Sequence, residues 1–315
     1  MSKKIAFVFP GQGAQYPGMG HDFFSQFPEA KSVFEEADRV LGTPFSKLIF
    51  EGSKEELTQT NNSQLAIFIT SIAILRVVEA QLPELTPTVC AGLSLGEYTA
   101  LVAAKKLTFA EALPLVKARG MWMQTACENH PGTMMVVLGL ELNVVEETLT
   151  PFEKVWVANL NCPGQIVIAG EVTEVEKVAA LLKEKGARRV LPLDVSGAFH
   201  SGLMQEAQDQ LKPLILASNL ESSPIDVVLN VEGDYVTDLE KVRECMISQV
   251  THPVKWQKGV EKMVEAGVDL YIEMGPGKTL AGMNKRIGVE APILSIEKSE
   301  DLALLKEKQH ATIEG

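Results

Sequence analysis

The segment Gly92-Leu93-Ser94-Leu95-Gly96 constrains this chain more than any other. Residues 87–91 can form a short buried strand, and residues 97–104 have the composition of a helix. Glycines two residues before and two residues after a serine, on a turn from strand to helix, form the nucleophile-elbow pattern. The glycines leave room where the backbone turns back, and the serine hydroxyl projects at a helix N-terminus, where N–H groups favour negative charge. The pattern predicts a nucleophilic serine, and a tight turn with a solvated serine is the alternative.

Composition limits the possible classes of function. The chain has 315 residues, a hydrophobic content of 46% and a formal net charge of −12. These values are typical of a globular protein with one large domain or two smaller ones, and they argue against general binding to nucleic acid or anionic membranes. No signal peptide and no run of about 18 apolar residues is evident, so a cytoplasmic location is expected. The widely spaced cysteines indicate free thiols rather than a metal site: Cys90, Cys127, Cys162 and Cys245.

The N-terminal segment indicates a parallel sheet. Residues 5–9 are continuously apolar and are followed by Pro10, which is typical of a strand buried on both faces. The loop Gly11-Gln12-Gly13 comes next, at a position where it could present N–H groups to an oxyanion. Its glycine spacing does not fit a dinucleotide-binding loop. Helices are predicted at residues 29–41 and 64–79, and the second is apolar enough to be buried.

A small inserted domain is predicted between residues 128 and 196. The order strand, helix, strand, strand, helix, strand is the split pattern of ferredoxin-like domains. We therefore predict an α/β protein whose large domain, residues 1–127 and 197–315, is interrupted by this insertion. Residues 161–164 are expected to join the two middle strands. The predicted strands are 133–138, 155–159, 165–169 and 189–193, and the predicted helices are 144–149 and 172–185.

An elbow serine needs a base, and the chain has five histidines. His200, just before a helix predicted at 202–216, is best placed, and His252 is the second candidate. Arg119 lies among bulky apolar residues of a helix predicted at 109–127. The residues alone favour a surface guanidinium with a packed stem over a carboxylate receptor.

A second glycine-rich turn, residues 274–279, ends in Gly-Lys-Thr and so invites comparison with a phosphate-binding loop. The first glycine of that motif would fall at position 272, which is Ile, and Pro276 removes an N–H donor. The sequence therefore predicts a plain strand-to-helix turn without ATP binding.

Seven segments together resemble malonyl-CoA:acyl carrier protein transacylases. They occur in that family's order, and the resemblance extends from residue 5 to about residue 295. It implies an α/β-hydrolase-like large domain with a parallel sheet, a ferredoxin-like insertion, and an active site in the gorge between them. The segments are 9–15, 92–98, 118–121, 161–170, 199–201, 249–256 and 274–277.

The resemblance implies a catalytic role for residues at the matching positions. Ser94 would form a malonyl ester, and His200 would take its proton and later activate the carrier's phosphopantetheine thiol. The Gln249 backbone carbonyl would orient His200, where a hydrolase would use a carboxylate. Asp194 is too close to His200 in sequence to be assigned that role. Exchange between thioester and oxyester needs a nucleophile, a base and an oxyanion hole.

The resemblance also implies substrate-binding residues. Gln12 and Leu95 would supply the N–H groups of the oxyanion hole, and Arg119 would pair with the free carboxylate of malonate. Asn161 and Phe199 would line the substrate site. Phe199 matches the malonyl-selecting pattern of the family, in which a bulky ring leaves no room for an α-methyl group. Methylmalonyl transfer is accordingly the nearest rival.

The expected substrates are malonyl-CoA and phosphopantetheinylated acyl carrier protein, without metal or cofactor, and the resemblance implies a monomer that serves fatty acid synthesis. Because the carrier is acidic in this family and this chain is acidic too, docking would need a local basic patch. Ordinary solvated charge is the alternative reading of the candidate residues. They are Lys183, Lys185, Arg188, Arg189, Lys285 and Arg286.

One residue departs from the family pattern. The family usually has His directly before the serine, and this chain has Leu93. We expect altered packing around the elbow rather than lost catalysis. Two other classes of function compete with acyl transfer: a serine esterase, which has no use for a buried cation at Arg119, and a non-catalytic scaffold that binds a carrier protein.

Overall fold

Two separate β-sheets organise the chain in the computed structural model, which describes residues 3–195 and 197–313. The strands are β1 Ile5–Phe9, β2 Val89–Gly92, β3 Gly132–Leu138, β4 Val155–Cys162, β5 Gln165–Glu171, β6 Arg189–Pro192, β7 Asp226–Leu229, β8 Asp234–Tyr235, β9 Leu270–Met274 and β10 Ile293–Ile296. The first half of the helices is α1 His21–Gln26, α2 Pro28–Leu41, α3 Phe45–Glu51, α4 Lys54–Thr58, α5 Thr60–Gln81, α6 Gly96–Ala103 and α7 Phe109–Asn129. The second half is α8 Leu142–Leu149, α9 Val172–Glu184, α10 Gln205–Ala217, α11 Leu239–Ser248, α12 Trp256–Glu265, α13 Thr279–Ile287 and α14 Asp301–Ile313.

The larger sheet has the strand order β10-β9-β1-β2-β7-β8. All neighbours are parallel except β7 and β8. The central strands are buried along nearly their whole length, as their continuous apolar runs predict. Phe9 is paired with Gly92, so the loop after β1 and the serine turn after β2 leave the sheet side by side. This register positions the functional site.

The apolar helix α5 lies in the core, with most of its side chains buried. It packs against α2 and α7. Among the described residues it is the one helix whose length and mean hydropathy of 1.6 would allow it to span a membrane. Because 83% of that window is buried inside the fold, packing within the protein accounts for its composition.

The smaller sheet is antiparallel throughout and has the order β4-β5-β3-β6. Its four strands and the helices α8 and α9 follow the split pattern predicted from the sequence. Residues from both helices and the strands form a separate apolar core that includes Val145, Ile168 and Leu182. The fold class, an α/β protein with a parallel sheet and a second antiparallel sheet, is therefore confirmed.

The turn between β4 and β5 is shorter than predicted. The sequence suggests a link over residues 161–164, but Asn161 and Cys162 belong to β4, and Cys162 is paired with Gln165. Only Pro163 and Gly164 remain in the turn, and Gly164 has a φ of 68°, as tight two-residue hairpins require. Residue 161 consequently lies on a strand, which fixes the direction of its side chain.

Backbone hydrogen bonds connect β4 of the smaller sheet to the segment before α12. Val254 donates to the Ala158 carbonyl at 2.9 Å and accepts from the Leu160 N–H at 2.8 Å. The division into domains at residues 128 and 196 stays a prediction, and Ser196, where the second boundary falls, lies outside the described residues.

The long helices and the sheet strands lie close to their predicted positions, whereas several short elements were not predicted. The unpredicted elements are α1, α3, α4, α11, α12, α14, β8 and β10, whereas α13 follows the strand-to-helix turn predicted at residues 274–279. The helix predicted at 202–216 begins with a 3-10 turn, Gly202–Met204, before α10. For residues 296–315 the sequence predicts no element, and α14 covers most of them, with Leu302 and Leu305 buried.

Candidate active site

Ser94 lies on a sharp turn between β2 and α6 and has a φ of 51°. This left-handed conformation is unfavourable for a residue with a Cβ atom. The flanking glycines make the turn possible: a Cβ on Gly92 would lie 2.0 Å from the Gly96 carbonyl carbon, and one on Gly96 would lie 2.2 Å from the Phe9 carbonyl oxygen. The turn therefore has the geometry of a nucleophile elbow.

His200 is the histidine that the structure brings to Ser94. Its Nε2 lies 2.8 Å from Ser94 Oγ, and its Nδ1 lies 2.7 Å from the Gln249 backbone carbonyl oxygen. Because a carbonyl only accepts, Nδ1 carries the proton, and Nε2 presents a lone pair to the serine hydroxyl. The ring is 3% exposed. Burial, together with the Arg119 charge, lowers the pKa of His200 to about 4, so the ring is neutral at pH 7.

The second candidate base does not reach the elbow. His252 is bonded through Nδ1 to the Ser248 carbonyl and to Thr251, at the protein surface. Asp194 is exposed, and the acceptor at His200 Nδ1 is the Gln249 carbonyl rather than a carboxylate. The site is therefore a serine–histidine pair oriented by a backbone carbonyl.

Arg119 is buried at 1% exposure, so the interpretation favoured by the residues alone, a surface guanidinium, is wrong. Its Nη1 donates to Gln64 Oε1 at 2.6 Å, and its Nη2 donates to Gln249 Oε1 at 2.8 Å and to Ser94 Oγ at 3.1 Å. α7 packs against α5, and this contact turns Arg119 inward; the local sequence carries no signal of that packing. The guanidinium thus lies beside the serine hydroxyl.

Arg119 forms no ion pair in the described part of the chain, and the nearby Glu97 carboxyl acts on it only at a longer distance. Its three hydrogen-bond acceptors are neutral oxygens, and its Nε has no partner. Burial lowers the pKa of Arg119, although a guanidinium stays protonated at neutral pH. A buried cation without a paired carboxylate is costly unless a ligand supplies the anion.

A cavity of about 230 Å³ lies in front of the pair, between the two sheets. Of the predicted site residues, Ser94, His200, Gln12, Asn161 and Phe199 line it. Leu95, Arg119 and Gln249 are buried and do not line it, but Arg119 and Gln249 are bonded to Ser94, which does. Leu93, which stands where the family usually has His, also lines the cavity, beside residues of the loop after β1 and of α13.

Two backbone N–H groups predicted to bind an oxyanion are free to do so. Among the described residues, neither the Gln12 N–H nor the Leu95 N–H donates to a protein acceptor. Gln12 follows β1 and Leu95 follows Ser94, and the paired ends of β1 and β2 bring the two loops together. The Leu95 N–H also opens α6, where the helix dipole favours negative charge.

Two polar residues that the sequence analysis did not single out support the elbow. Asn230, directly after β7, accepts a hydrogen bond from the Ser94 N–H, and Glu97 on α6 accepts one from the Asn230 N–H. Glu97 is fully buried; burial raises its pKa to about 7, against the opposing effects of the Asn230 N–H, Arg119 and Gln249. Asn directly after a buried strand, and Glu in an otherwise apolar helix, are the signals that could have identified them.

The second glycine-rich turn contains no free helix N-terminus. The Glu273 carboxylate accepts the N–H groups of Leu280 and Ala281 at 3.0 Å each, so the first turn of α13 already has an anion. This capping agrees with the plain strand-to-helix turn predicted there. The described residues contain no group of three or more candidate metal ligands.

An elbow serine bonded to a neutral histidine, on an α/β fold, is an arrangement typical of enzymes that transfer or hydrolyse acyl groups. The sequence model of the acyl transferase domain family matches residues 6–303. A malonyl CoA-acyl carrier protein transacylase of Bacillus subtilis is 42% identical over 305 residues, which cover 96% of each chain.

Solved structures agree with this assignment. The crystal structure of a malonyl CoA-acyl carrier protein transacylase from Clostridium perfringens is 36% identical, with a TM-score of 0.93 over 98% of each chain. A malonyl-transacylase solved in complex with a type II polyketide synthase acyl-carrier protein is also 36% identical, with a TM-score of 0.91, over 96% of this chain and 98% of that one. The chain belongs to the malonyl-CoA:acyl carrier protein transacylase family and is an acyltransferase.

Proposed function

We propose that this enzyme transfers a malonyl group from malonyl-CoA to the phosphopantetheine thiol of an acyl carrier protein, through an ester on Ser94. The names of its relatives support the substrates. The observation that carries the proposal is the buried guanidinium of Arg119, which forms no ion pair with a described residue and lies 3.1 Å from the serine hydroxyl. An acyl group with a free carboxylate fits that position, whereas an acetyl group leaves the cation unpaired.

In the first half-reaction, Ser94 Oγ attacks the thioester carbonyl of malonyl-CoA as its proton passes to His200 Nε2. The pair is already within hydrogen-bond distance, at 2.8 Å, and the low pKa of His200 keeps Nε2 unprotonated at neutral pH. The Gln249 carbonyl accepts from Nδ1–H and stabilises the imidazolium that forms. The carbonyl oxygen of the substrate becomes an oxyanion, which the Gln12 and Leu95 N–H groups bind.

Collapse of this intermediate breaks the carbon–sulfur bond, and the coenzyme A sulfur leaves with the proton from His200. The malonyl–Ser94 ester remains. In the second half-reaction the phosphopantetheine thiol gives its proton to His200 and attacks the ester carbonyl. The carbon–oxygen bond breaks, and Ser94 Oγ recovers the proton. One thioester is consumed and one is formed, so the sequence of steps is ping-pong and needs no cofactor.

Arg119 selects the acyl group in this proposal. Nε of the guanidinium has no partner, and the adjacent Nη2 donates one of its two hydrogens to Ser94 Oγ. A substrate carboxylate would bind Nε with one oxygen and take the place of Ser94 Oγ on Nη2 with the other. Nη1 donates to Gln64 Oε1, and Nη2 donates to Gln249 Oε1. Because both acceptors are neutral, they fix the plane of the guanidinium without neutralising its charge. Glu97 is the nearest buried carboxyl, but no carboxylate forms an ion pair with Arg119 among the described residues.

Two cavity residues would contact the rest of the substrate. Phe199 is 5% exposed and lines the cavity next to His200, where its ring limits the space around the α-carbon of the acyl group. Asn161 also lines the cavity, and its Oδ1 is buried without a partner. An unpaired amide oxygen in a substrate cavity can accept a hydrogen bond from an amide N–H of the phosphopantetheine arm.

Two of the basic residues proposed to dock the carrier, Arg188 and Arg286, lie near the Pro163–Gly164 turn. The Arg188 N–H donates to the Leu138 carbonyl, and a Cβ built on the next residue, Gly139, would lie 3.1 Å from Arg188 Cβ. Gly139 in turn lies next to the turn, because a Cβ built on Gly164 would lie 3.7 Å from Gly139. Arg286 on α13 lies beside Cys162, the last residue of β4. Burial raises the pKa of the Cys162 thiol, and the interaction with Arg286 opposes that change.

All six basic residues of this patch are exposed, and none forms an ion pair within the described part of the chain. They therefore present unneutralised positive charge at one end of the small sheet, near Asn161 at the cavity wall. This arrangement supports docking of an acidic carrier protein there. A monomeric state and a cytoplasmic location stay predictions.

The test is intact-protein mass spectrometry after brief mixing with malonyl-CoA alone, on the wild type and on Ser94→Ala. We expect a malonyl adduct on the wild type only, discharged when phosphopantetheinylated carrier protein is added. Free malonate without a stable adduct would identify an esterase. The absence of both adduct and turnover would indicate a binding protein. Leu93→His would then be the first substitution to make.

A second experiment tests the role of Arg119. Arg119→Ala should lower kcat/KM for malonyl-CoA by about 10²-fold or more, because the substrate carboxylate would be buried without a partner. The value for acetyl-CoA should fall much less or rise. Retained preference for malonyl-CoA would remove Arg119 from its proposed role, while Lys117→Ala, an exposed cation on the same helix, serves as the control.

A further inference from the structure

Asn230 clamps the serine turn from both sides. Its Oδ1 accepts from the Ser94 N–H at 2.7 Å, and its Nδ2 donates to the Gly92 carbonyl at 2.7 Å. One amide group therefore holds the residue before the turn and the serine itself. β7 is paired in parallel with β2, with Val228 opposite Ala91, so the end of β7 places Asn230 beside the elbow.

The clamp acts on the strained residue of the site. Ser94 has a positive φ, and its N–H would otherwise have no acceptor among the described residues. A change of a few degrees in the Ser94 backbone moves Oγ relative to His200 Nε2 and to the Gln12 and Leu95 N–H groups. Proton transfer and oxyanion binding both depend on those distances.

The backbone of Asn230 is itself held on two sides. The Glu97 carboxylate accepts the Asn230 N–H at 2.6 Å, and the Lys255 N–H donates to the Asn230 carbonyl at 2.9 Å. Glu97 lies on α6, the helix that follows the elbow. Asn230 is therefore bonded both to Ser94 on the turn and to Glu97 on the helix after it. Asn230 is 3% exposed and Glu97 is fully buried, so water does not compete for these bonds.

We infer that Asn230, held by Glu97, is a positioning residue that keeps Ser94 Oγ aligned with His200 and with the oxyanion-binding N–H groups. The inference rests on the proposed role of Ser94 as the nucleophile. It assigns to Asn230 a contribution to reaction rate beyond its contribution to the stability of the fold.

Asn230→Asp separates these two contributions. The introduced carboxyl keeps an oxygen for the Ser94 N–H, but only its protonated form can donate to the Gly92 carbonyl. The ionisable groups around this position are Glu97 and Tyr98 on α6, Arg119 on α7, His200, and Cys245 on α11. Burial raises the pKa of Tyr98 and of Cys245 to about 12, so both stay neutral, and burial beside Glu97 would raise the pKa of the introduced carboxyl.

The experiment measures how fast Ser94 reacts with a fluorophosphonate probe, which labels nucleophilic serines without needing malonyl-CoA, and how fast it forms the malonyl adduct. Asn230→Ala should slow both reactions by about 10²-fold, with a much smaller change in KM for malonyl-CoA. For Asn230→Asp, the rate relative to wild type should rise as the pH falls from about 8 to about 6. Asn284→Asp is the matched control, since Asn284 is equally buried and its Oδ1 accepts from Trp256 Nε1, away from the elbow.

Labelling of Asn230→Ala at a rate within about threefold of wild type would overturn the inference. A relative rate of Asn230→Asp that does not change with pH, or that changes in the same way as that of Asn284→Asp, would overturn it too. If Asn230→Ala does not fold, the pH dependence of Asn230→Asp decides the question. A wild type that reacts with the fluorophosphonate but forms no malonyl ester would refute the proposed substrate, and the labelling rates would still test the positioning role.

Discussion

Arg119 and His200 both contact the Ser94 hydroxyl, and each affects the chemistry of the other. Ser94 Oγ accepts a hydrogen bond from Arg119 and donates one to His200. After burial, the Arg119 charge is the second cause of the low pKa of His200. The same cation that would bind the substrate carboxylate therefore keeps the base neutral. Once the carboxylate neutralises Arg119, the pKa of His200 should rise, which favours proton uptake from Ser94.

The first prediction concerns the pH dependence of the rate. For wild type, kcat/KM should stay constant from about pH 6 to pH 8 and fall in acid with an apparent pKa near 4. In Arg119→Leu the acid midpoint should move upward, because a positive charge next to the imidazolium has been removed. Both enzymes are assayed with acetyl-CoA, which does not need the arginine. A wild-type midpoint near the ordinary value of 6.5 would contradict the prediction.

The same shift has a consequence for stability. Between pH 6.5 and pH 4 the unfolded chain binds a proton at His200 and the folded chain does not, so the free energy of unfolding falls as the pH decreases across this range. Below about pH 4 both states are protonated, and the contribution of His200 becomes constant. His200→Gln should reduce this acid sensitivity, as measured by chemical denaturation.

The second prediction concerns the size of the acyl group. Phe199→Ser should raise kcat/KM for methylmalonyl-CoA relative to malonyl-CoA by about tenfold or more, because one additional methyl group is then accommodated. An unchanged ratio of the two specificity constants would mean that Phe199 does not limit the site. Leu193→Ser is the control: Leu193 also lines the cavity, so this variant reports the effect of added space that is not at position 199.

At the level of secondary-structure elements, the site depends on how closely three segments approach one another. β2 turns into α6 with Gly92 against Gly96, and Gly96 packs against the end of β1. The approach is possible because the facing positions lack side chains, and it brings the Gln12 loop next to the serine turn. The elbow is thus a property of two strands and a helix together.

Gly92→Ala tests this packing. The added methyl group would lie 2.0 Å from the backbone of Gly96, so we expect the free energy of unfolding to fall by about 3 kcal/mol or more and the rate of Ser94 acylation to fall with it. Gly282→Ala on α13 is the control: its Cβ would meet nothing within 4 Å, and alanine favours a helix, so stability should rise slightly. Thermal unfolding of both variants distinguishes them, and equal stability would contradict the close approach.

At the level of the whole molecule, the active cavity exists only where the two sheets meet. The larger sheet supplies the elbow and the loop after β1, and the smaller sheet supplies Asn161 and the wall opposite. The basic patch extends across the same junction, with Lys183 in the last turn of α9, three residues after that helix and two on α13. A partner that binds the patch would therefore contact both parts of the molecule at once.

Charge reversal tests docking at this junction. Arg188→Glu should raise KM for the carrier protein several-fold at low salt, with a smaller effect at high salt, because exposed charges act at long range and are screened. The rate of malonyl-adduct formation from malonyl-CoA should not change. Arg39→Glu, the same change at an exposed position on α2, is the control. A KM for the carrier that does not depend on salt would contradict docking through the patch.

Local patterns in the sequence determined much of the fold. The elbow glycines, the apolar runs of β1 and β9 and the alternation of strands and helices in the smaller sheet act over a few residues, so they can be read directly. The long helices α2, α5 and α7 could be predicted for the same reason. Short elements such as α4 and β8 were missed because segments of five and two residues are too short to show a hydrophobic period.

The family resemblance pointed to Ser94, His200, Gln12 and Gln249, but only the tertiary structure brings them together. Ser94 and Gln249, for example, are bonded across 155 positions of the chain. The direction of the Arg119 side chain likewise depends on the packing of α7 against α5, and the residues around it suggested the surface instead. Asn230 and Glu97 carry no local signal of their contact, because it arises when β7 pairs with β2. The sequence by itself thus determined most of the helices and strands and the types of residue available to the site. The packing of the two sheets and α7 decided which side chains meet. The reason is that a hydrogen bond needs its atoms within about 3 Å, whatever their separation along the chain.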